Sequence, residues 1–199
     1  QMLMFEGCFI GFGWGVFDVA VPAFATQENV QHRVAWIFAA FGLATIVGGL
    51  LGGLVSKNLA PLSALRNTYL VWFLTCIPIA FTNPDWTMAL VGAFIGLVGG
   101  AVQVFYFEVL EAVRPQGSQT SSLGWIWSVE GSFMAVGAAI GGVVSEEFSP
   151  RVGLAMLPIM ILFGLIILTV GRGRLSAAND IPTEEEDLRA IKDISNEVK

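Results

Sequence analysis

Apolar residues run along this chain in long, nearly unbroken blocks. Six blocks stand out, at residues 3–25, 34–56, 65–82, 86–112, 120–145 and 152–171. Each approaches the length of about 20 residues that crosses about 30 Å of hydrocarbon at about 1.5 Å per residue. Strands of a membrane barrel would alternate apolar and polar positions over about 10 residues, so these blocks predict helices. Linkers of about 3 to 8 residues make sequence neighbours antiparallel neighbours in space. Trp36 and Trp86 open the second and fourth blocks, where an interfacial aromatic belt would hold them. After Arg174 the pattern stops. The prediction is an all-α membrane protein, with a six-helix bundle over 1–174 and an acidic tail over 175–199. The tail carries Glu184, Glu185, Glu186 and Asp187 in a row. It is either solvated or a short helix capped by Thr183 and Glu186.

Composition narrows the class. Of the 199 residues, 55% are hydrophobic and 13% charged, against about 25% charged in a soluble domain. The mean hydropathy is +0.71. Too little polar surface remains to cover a water-soluble enzyme, and too much apolar surface for a disordered chain. With 10 Lys and Arg against 16 Asp and Glu, there is no basic face for nucleic acid. The expected surroundings are a lipid bilayer. Intramembrane enzymes need a Gly-x-Ser-Gly nucleophile with a helical His, or His-Glu-x-x-His, and neither pattern occurs. No metal or cofactor is expected. Cys8 and Cys76 fall at opposite depths and are expected to be free thiols.

Charge also sets orientation. Lys57, Arg66, Arg114, Arg172 and Arg174 fall on one side of the predicted bundle, and only Arg33 and Arg151 on the other. The richer side is predicted to be cytoplasmic, with both chain ends there. No charged segment or cleavage site precedes the first block, so it is read as a membrane helix and not a signal peptide. A chain starting at Gln1 is expected to be part of a longer one, or one whose start was trimmed.

The six blocks divide into two similar triplets. The second block ends Val47-Gly48-Gly49-Leu50-Leu51-Gly52-Gly53-Leu54-Val55-Ser56, and the fifth ends Val136-Gly137-Ala138-Ala139-Ile140-Gly141-Gly142-Val143-Val144-Ser145. The offset is 89 residues. The first block carries Gly7, Gly11 and Gly15, and the fourth Gly92, Gly96 and Gly100, at an offset of 85. Three helices is an odd number, so the second copy must enter the membrane inverted. Inverted triplets with a site near the midplane are characteristic of transporters. The same glycines also suit close helix packing of any kind.

Ionisable groups at membrane depth mark function candidates. Glu6 and Glu108 lie near the cytoplasmic ends of their spans, whereas Asp18 and Glu130 lie deeper. Glu130 is about 11 residues, or about 16 Å, into its span. No Lys, Arg or His is deep in any span, and the single His32 is in a loop. Each deep acid is therefore protonated, hydrated, or paired with a base outside this chain. Desolvation favours the protonated form. Glu130 and Asp18 are the candidates for carrying a coupled proton; the alternative is a neutral carboxyl bridging two helices. Gln103, Trp14, Trp125 and Trp127 are candidates to line a cavity for an amphipathic or cationic small molecule, or else ordinary packing.

Six helices in two inverted triplets, with short loops and both ends on one side, resemble the C-terminal half of a major facilitator superfamily transporter. The loop Gly52-Gly53-Leu54-Val55-Ser56-Lys57-Asn58-Leu59-Ala60-Pro61 resembles the family motif Gly-x-Leu-Ala-Asp-Arg-x-Gly-Arg-Arg. Gly52, Leu54 and Lys57 fit it. Ser56 stands in place of its Asp, so the gating ion pair built on that Asp does not carry over. Ser121 to Gly142, with Trp125, Gly137 and Gly141-Gly142, resembles the eleventh helix of bacterial drug-efflux members. The resemblance implies alternating-access transport, with a missing N-terminal six-helix half as partner, in the bacterial inner membrane. It favours proton-coupled efflux. Uptake of a sugar or organic acid by symport, or a non-transporting scaffold, are the alternatives.

Overall fold

The computed structural model describes residues 2–56, 59–113 and 119–175. The predicted Lys57, the Arg114 contribution to charge bias and the tail beyond Leu175 lie outside them. Six long helices follow in order: α1 (Met2–Gln27), α2 (Val34–Ser56), α3 (Pro61–Cys76), α4 (Trp86–Val113), α5 (Gln119–Glu147) and α6 (Pro150–Val170). A single turn, α7 (Arg172–Leu175), closes the described chain. All six long helices, α3 taken with the turn that follows it, are long and apolar enough to cross a membrane. The described residues contain no strand.

Helix ends follow local chemistry. The third span was expected from residue 65 but starts at Pro61, which needs no amide partner at a helix start. Its α-helix also ends early, at Cys76, and continues to Phe81 as a tighter 3-10 helix around Pro78. Proline removes an intrahelical donor there. Pro150 again opens a helix, and the Ser149 side chain accepts from the Arg151 amide at 3.2 Å. Pro22 and Pro158 lie inside α1 and α6 without ending either helix.

Packing reproduces the sequence repeat. Helix α1 packs along α5 and α6, α4 packs along α2 and α3, and α3 meets α6. Exchanging the two triplets leaves that set of neighbours unchanged. The buried residues agree in detail. Those of α2 are Ile37, Gly48, Gly52 and Ser56, and those of α5 are Ile126, Gly137, Gly141 and Ser145. Each pair is separated by the same 89 residues. Nine of the eleven buried residues of α4 lie 85 positions after a buried residue of α1, so the match extends beyond the glycines. Helices α2 and α5 otherwise expose apolar faces, including Leu43, Leu50, Leu54, Phe133 and Val143.

The glycines are where backbones touch. A Cβ added at Gly15 would come within 2.7 Å of the Ala138 amide nitrogen, and one at Gly100 within 2.7 Å of the Gly49 nitrogen. One at Gly137 would meet the Phe12 carbonyl carbon at 2.8 Å, and one at Gly48 the Leu97 carbonyl carbon at 2.6 Å. Gly141 faces Val16 as Gly52 faces Ala101. These contacts between α1 and α5 thus have their copies between α4 and α2. Without a hydrophobic force between helices in lipid, such close contact supplies the dispersion energy that joins them.

Candidate functional site

Between the triplets lies a cavity of about 420 Å³. Trp14, Asp18 and Glu6 reach it from α1, Phe41 and Thr45 from α2, Tyr69 and Trp72 from α3. Gln103, Tyr106 and Phe107 come from α4, and Trp127, Glu130 and Met134 from α5. Asp18, Gln103 and Trp127 remain exposed, so the cavity is open along one side. Among the described residues, no Lys, Arg or His lines it.

The expected site residues divide. Glu130, Asp18, Gln103, Trp14 and Trp127 meet in this one cavity. Trp125 does not. It lines a second pocket near the chain termini, with Met2, Leu3, Ser121, Ser122 and Leu175. The reason is angular: Trp125 and Trp127 are two residues apart on α5, so they point to different faces. Gly7 and Gly92 sit at matching places: a Cβ added at Gly7 would lie 4.0 Å from the Glu130 Cβ, and one added at Gly92 3.9 Å from the Phe41 Cβ. Of the loop motif, Gly52 packs on Ala101 and Leu54 is exposed at the end of α2.

Two ends of the bundle can be distinguished by where its first helix begins and its last long helix ends. Met2 and Val170 lie at the terminal end, with Ser56, Pro61, Val113 and Gln119; the opposite end is the far end. Toward the far end the cavity is walled by aromatic rings. Trp14 contacts Phe41 at 5.3 Å, Phe17 at 5.7 Å and Trp72 at 5.8 Å between centroids, with Phe38 behind Phe17. Edge and tilted contacts of this kind strengthen burial. The Trp72 indole nitrogen donates to the Ile95 carbonyl oxygen at 3.0 Å. Gly99 makes room for that indole, since a Cβ there would lie 3.1 Å from its nitrogen.

Toward the terminal end the wall is polar. Glu6 is only 3% exposed, and Tyr69, fully buried, donates its hydroxyl to the Glu6 carboxyl. The Tyr106 hydroxyl donates to the Leu3 carbonyl oxygen at 3.2 Å and also lies within reach of Glu6. Glu130 is close enough for its charge to act on Glu6. The sequence reading passed over Glu6 because it is near a span end. The chain has two tyrosines, and both lie in the half of their span nearer the end at which Glu6 sits.

A cavity between inverted triplets near the membrane centre is the arrangement of a carrier. A family model of the Major Facilitator Superfamily matches residues 3–198. The chain belongs to this superfamily. As a major facilitator superfamily protein it serves transport across a membrane, and members are generally carriers, not enzymes. No curated protein and no solved structure matches it.

At the far end, outside the cavity, Arg151 ties three elements together. Its guanidinium donates to the carbonyl oxygens of Ala80 and Thr82 at 3.2 and 2.9 Å and to Asn83 Oδ1 at 2.6 Å. It also lies over the Phe24 ring at 4.7 Å. Beside it, Asp85 caps α4, accepting from the Thr87 amide at 2.7 Å and from the Thr87 hydroxyl at 2.6 Å. Those hydrogen bonds hold the Asp85 carboxyl below its ordinary range, with a smaller contribution from Arg33.

Proposed function

We propose that this chain is the C-terminal six-helix half of a proton-coupled efflux carrier for small amphipathic molecules. The observation that carries the reading is the cavity itself, lined by aromatic rings and by the carboxyls of Glu6, Asp18 and Glu130 with no base among them. A flat, lipophilic cation suits rings and carboxyls together. Carboxyls without basic partners suit exchange of a proton against such a cation, and Glu130 and Asp18 carry that proton. The exposed faces of α2 and α5 flank the open side of the cavity. They suit a second six-helix half, which would complete the site. The Lys and Arg bias favours a cytoplasmic location for both ends, and the reading puts the bundle in a bacterial inner membrane.

The test is ethidium movement into vesicles containing the complete transporter, driven by an imposed pH gradient. Glu130→Gln is expected to uncouple ethidium movement from the gradient. Undiminished gradient-driven movement would remove Glu130 from the mechanism. Gradient-driven accumulation of a sugar or organic acid in place of ethidium would favour uptake by symport.

A further inference from the structure

The three acids of the cavity are not equivalent. Asp18 is exposed, and Glu130 is half-buried on the cavity wall. Glu6 is buried, yet it still borders the cavity. It is also the acid with built hydrogen-bonding partners. The hydroxyl of Tyr69 on α3 donates to it, and that of Tyr106 on α4 lies within reach. These are the only two tyrosines of the chain. Tyr69 can approach because α6 presents Gly164, where a Cβ would lie 3.2 Å from the phenol oxygen.

We infer that Glu6 is a proton-binding site, set by Tyr69 and Tyr106 and filled from the cavity by way of Glu130. A hydronium ion in the cavity gives its proton to the Glu130 carboxylate and is left as water. Glu130 then passes it to the Glu6 carboxylate, leaving Glu130 ionised and Glu6 a neutral acid. The reverse order releases it. The two tyrosine hydroxyls orient the Glu6 carboxyl and supply the hydrogen bonds that water would otherwise make.

The groups facing Glu6 are few. Helix α3 contributes Tyr69, α4 contributes Tyr106 and α5 contributes Glu130. On α1 itself, Cys8 is the nearest other titratable group. Helix α6 offers Gly164 at this level, and its Arg151 lies at the far end. With no Lys, Arg or His among the described residues that line the cavity, an ionised Glu6 near an ionised Glu130 is a costly state. One proton shared between the two carboxyls relieves it. A Cβ at Gly11 would meet the Glu130 carbonyl carbon at 2.9 Å, and one at Gly7, the residue after Glu6, would lie 4.0 Å from the Glu130 Cβ, so α5 carries Glu130 past the turn of α1 that holds Glu6.

This inference rests on the reading that a proton is the coupled ion, but its test does not need a substrate. The complete transporter in lipid vesicles is titrated while the infrared carbonyl stretch of protonated carboxyls is recorded. A band that disappears as pH rises is expected in the wild type. Glu6→Gln is expected to abolish it, and Tyr69→Phe to displace it by removing one hydrogen bond. Glu130→Gln is expected to keep it but to slow its relaxation after a pH jump. A band that survives Glu6→Gln, or that ignores Tyr69→Phe, would overturn the assignment. So would a band lost in Glu130→Gln alone. A matching band in sodium and in potassium buffers supports the proton site, whereas its loss on adding sodium would make the site a cation site instead. Should wild-type ethidium movement ignore a pH gradient, the coupling reading fails while this band remains to be judged by its own variants.

Discussion

Glu130 and Phe41 occupy the same place in the two triplets. Each sits beside the first two glycines of a stripe, Glu130 beside Gly7 and Gly11 and Phe41 beside Gly92 and Gly96. One is a carboxyl at the polar end of the cavity, the other a ring in the aromatic wall. The backbone is symmetric there and the chemistry is not. Because the copy already seats a phenyl ring, Glu130→Phe is expected to fold. Its melting temperature should equal or exceed that of the wild type, since removing an acid without a base is often neutral or stabilising. A fall of several degrees in a detergent melt would contradict the equivalence.

The glycine contacts predict paired effects. Gly15→Val and Gly100→Val each drive a side chain into the backbone of the facing helix. Each should cost at least about 1–3 kcal/mol, and the two losses should be similar. Gly42 and Gly53 face open space, so alanine there should be neutral or stabilise by up to about 1 kcal/mol. Thermal or chemical unfolding of the four variants measures this directly.

Arg151 is expected to hold the far end together. Arg151→Ala removes three hydrogen bonds and the contact with Phe24. A hydrogen bond to a charged group contributes about 1.5–3 kcal/mol, and solvent at this bundle end reduces the sum. Cleavage by protease in residues 82–85 should become faster. Arg151→Lys should restore little of this, because an ammonium cannot reach three acceptors in fork geometry.

Asp85 gives the far end an acid-sensitive cap. Its carboxyl is held below the ordinary aspartate pKa of 3.8 by Thr87, so its contribution is complete well above that pH. That contribution disappears as pH falls through the lowered value. Asp85→Ala should destabilise by about 0.5–1 kcal/mol near neutrality, the low end for a cap because the carboxylate is well solvated. The difference from wild type should vanish in stronger acid. Asp85→Asn should keep most of the cap and lose its pH dependence. Melts of the three proteins across acid pH test the sign.

Much of this was legible in the chain before any coordinates. Gly11 with Gly96, and Gly48 with Gly137, recur at fixed offsets because both triplets solve the same packing problem. A backbone contact tolerates hydrogen alone, and so it leaves its mark on sequence. The third helix starts four residues before the apolar block that marks it, because Pro61 is set for a first helical position whatever the polarity of the residues after it. Trp125 and Trp127 could not be separated by depth, since their faces differ by rotation about α5.

The sequence alone determined the six spans, their alternating direction and the inverted triplets, because lipid demands length and apolarity and close helices demand glycine. Tertiary structure decided which polar groups share one space. Glu6, Tyr69, Tyr106 and Glu130 come from four helices and up to 124 residues of separation. No local periodicity records that convergence; it follows from how α1 seats against α3, α4 and α5.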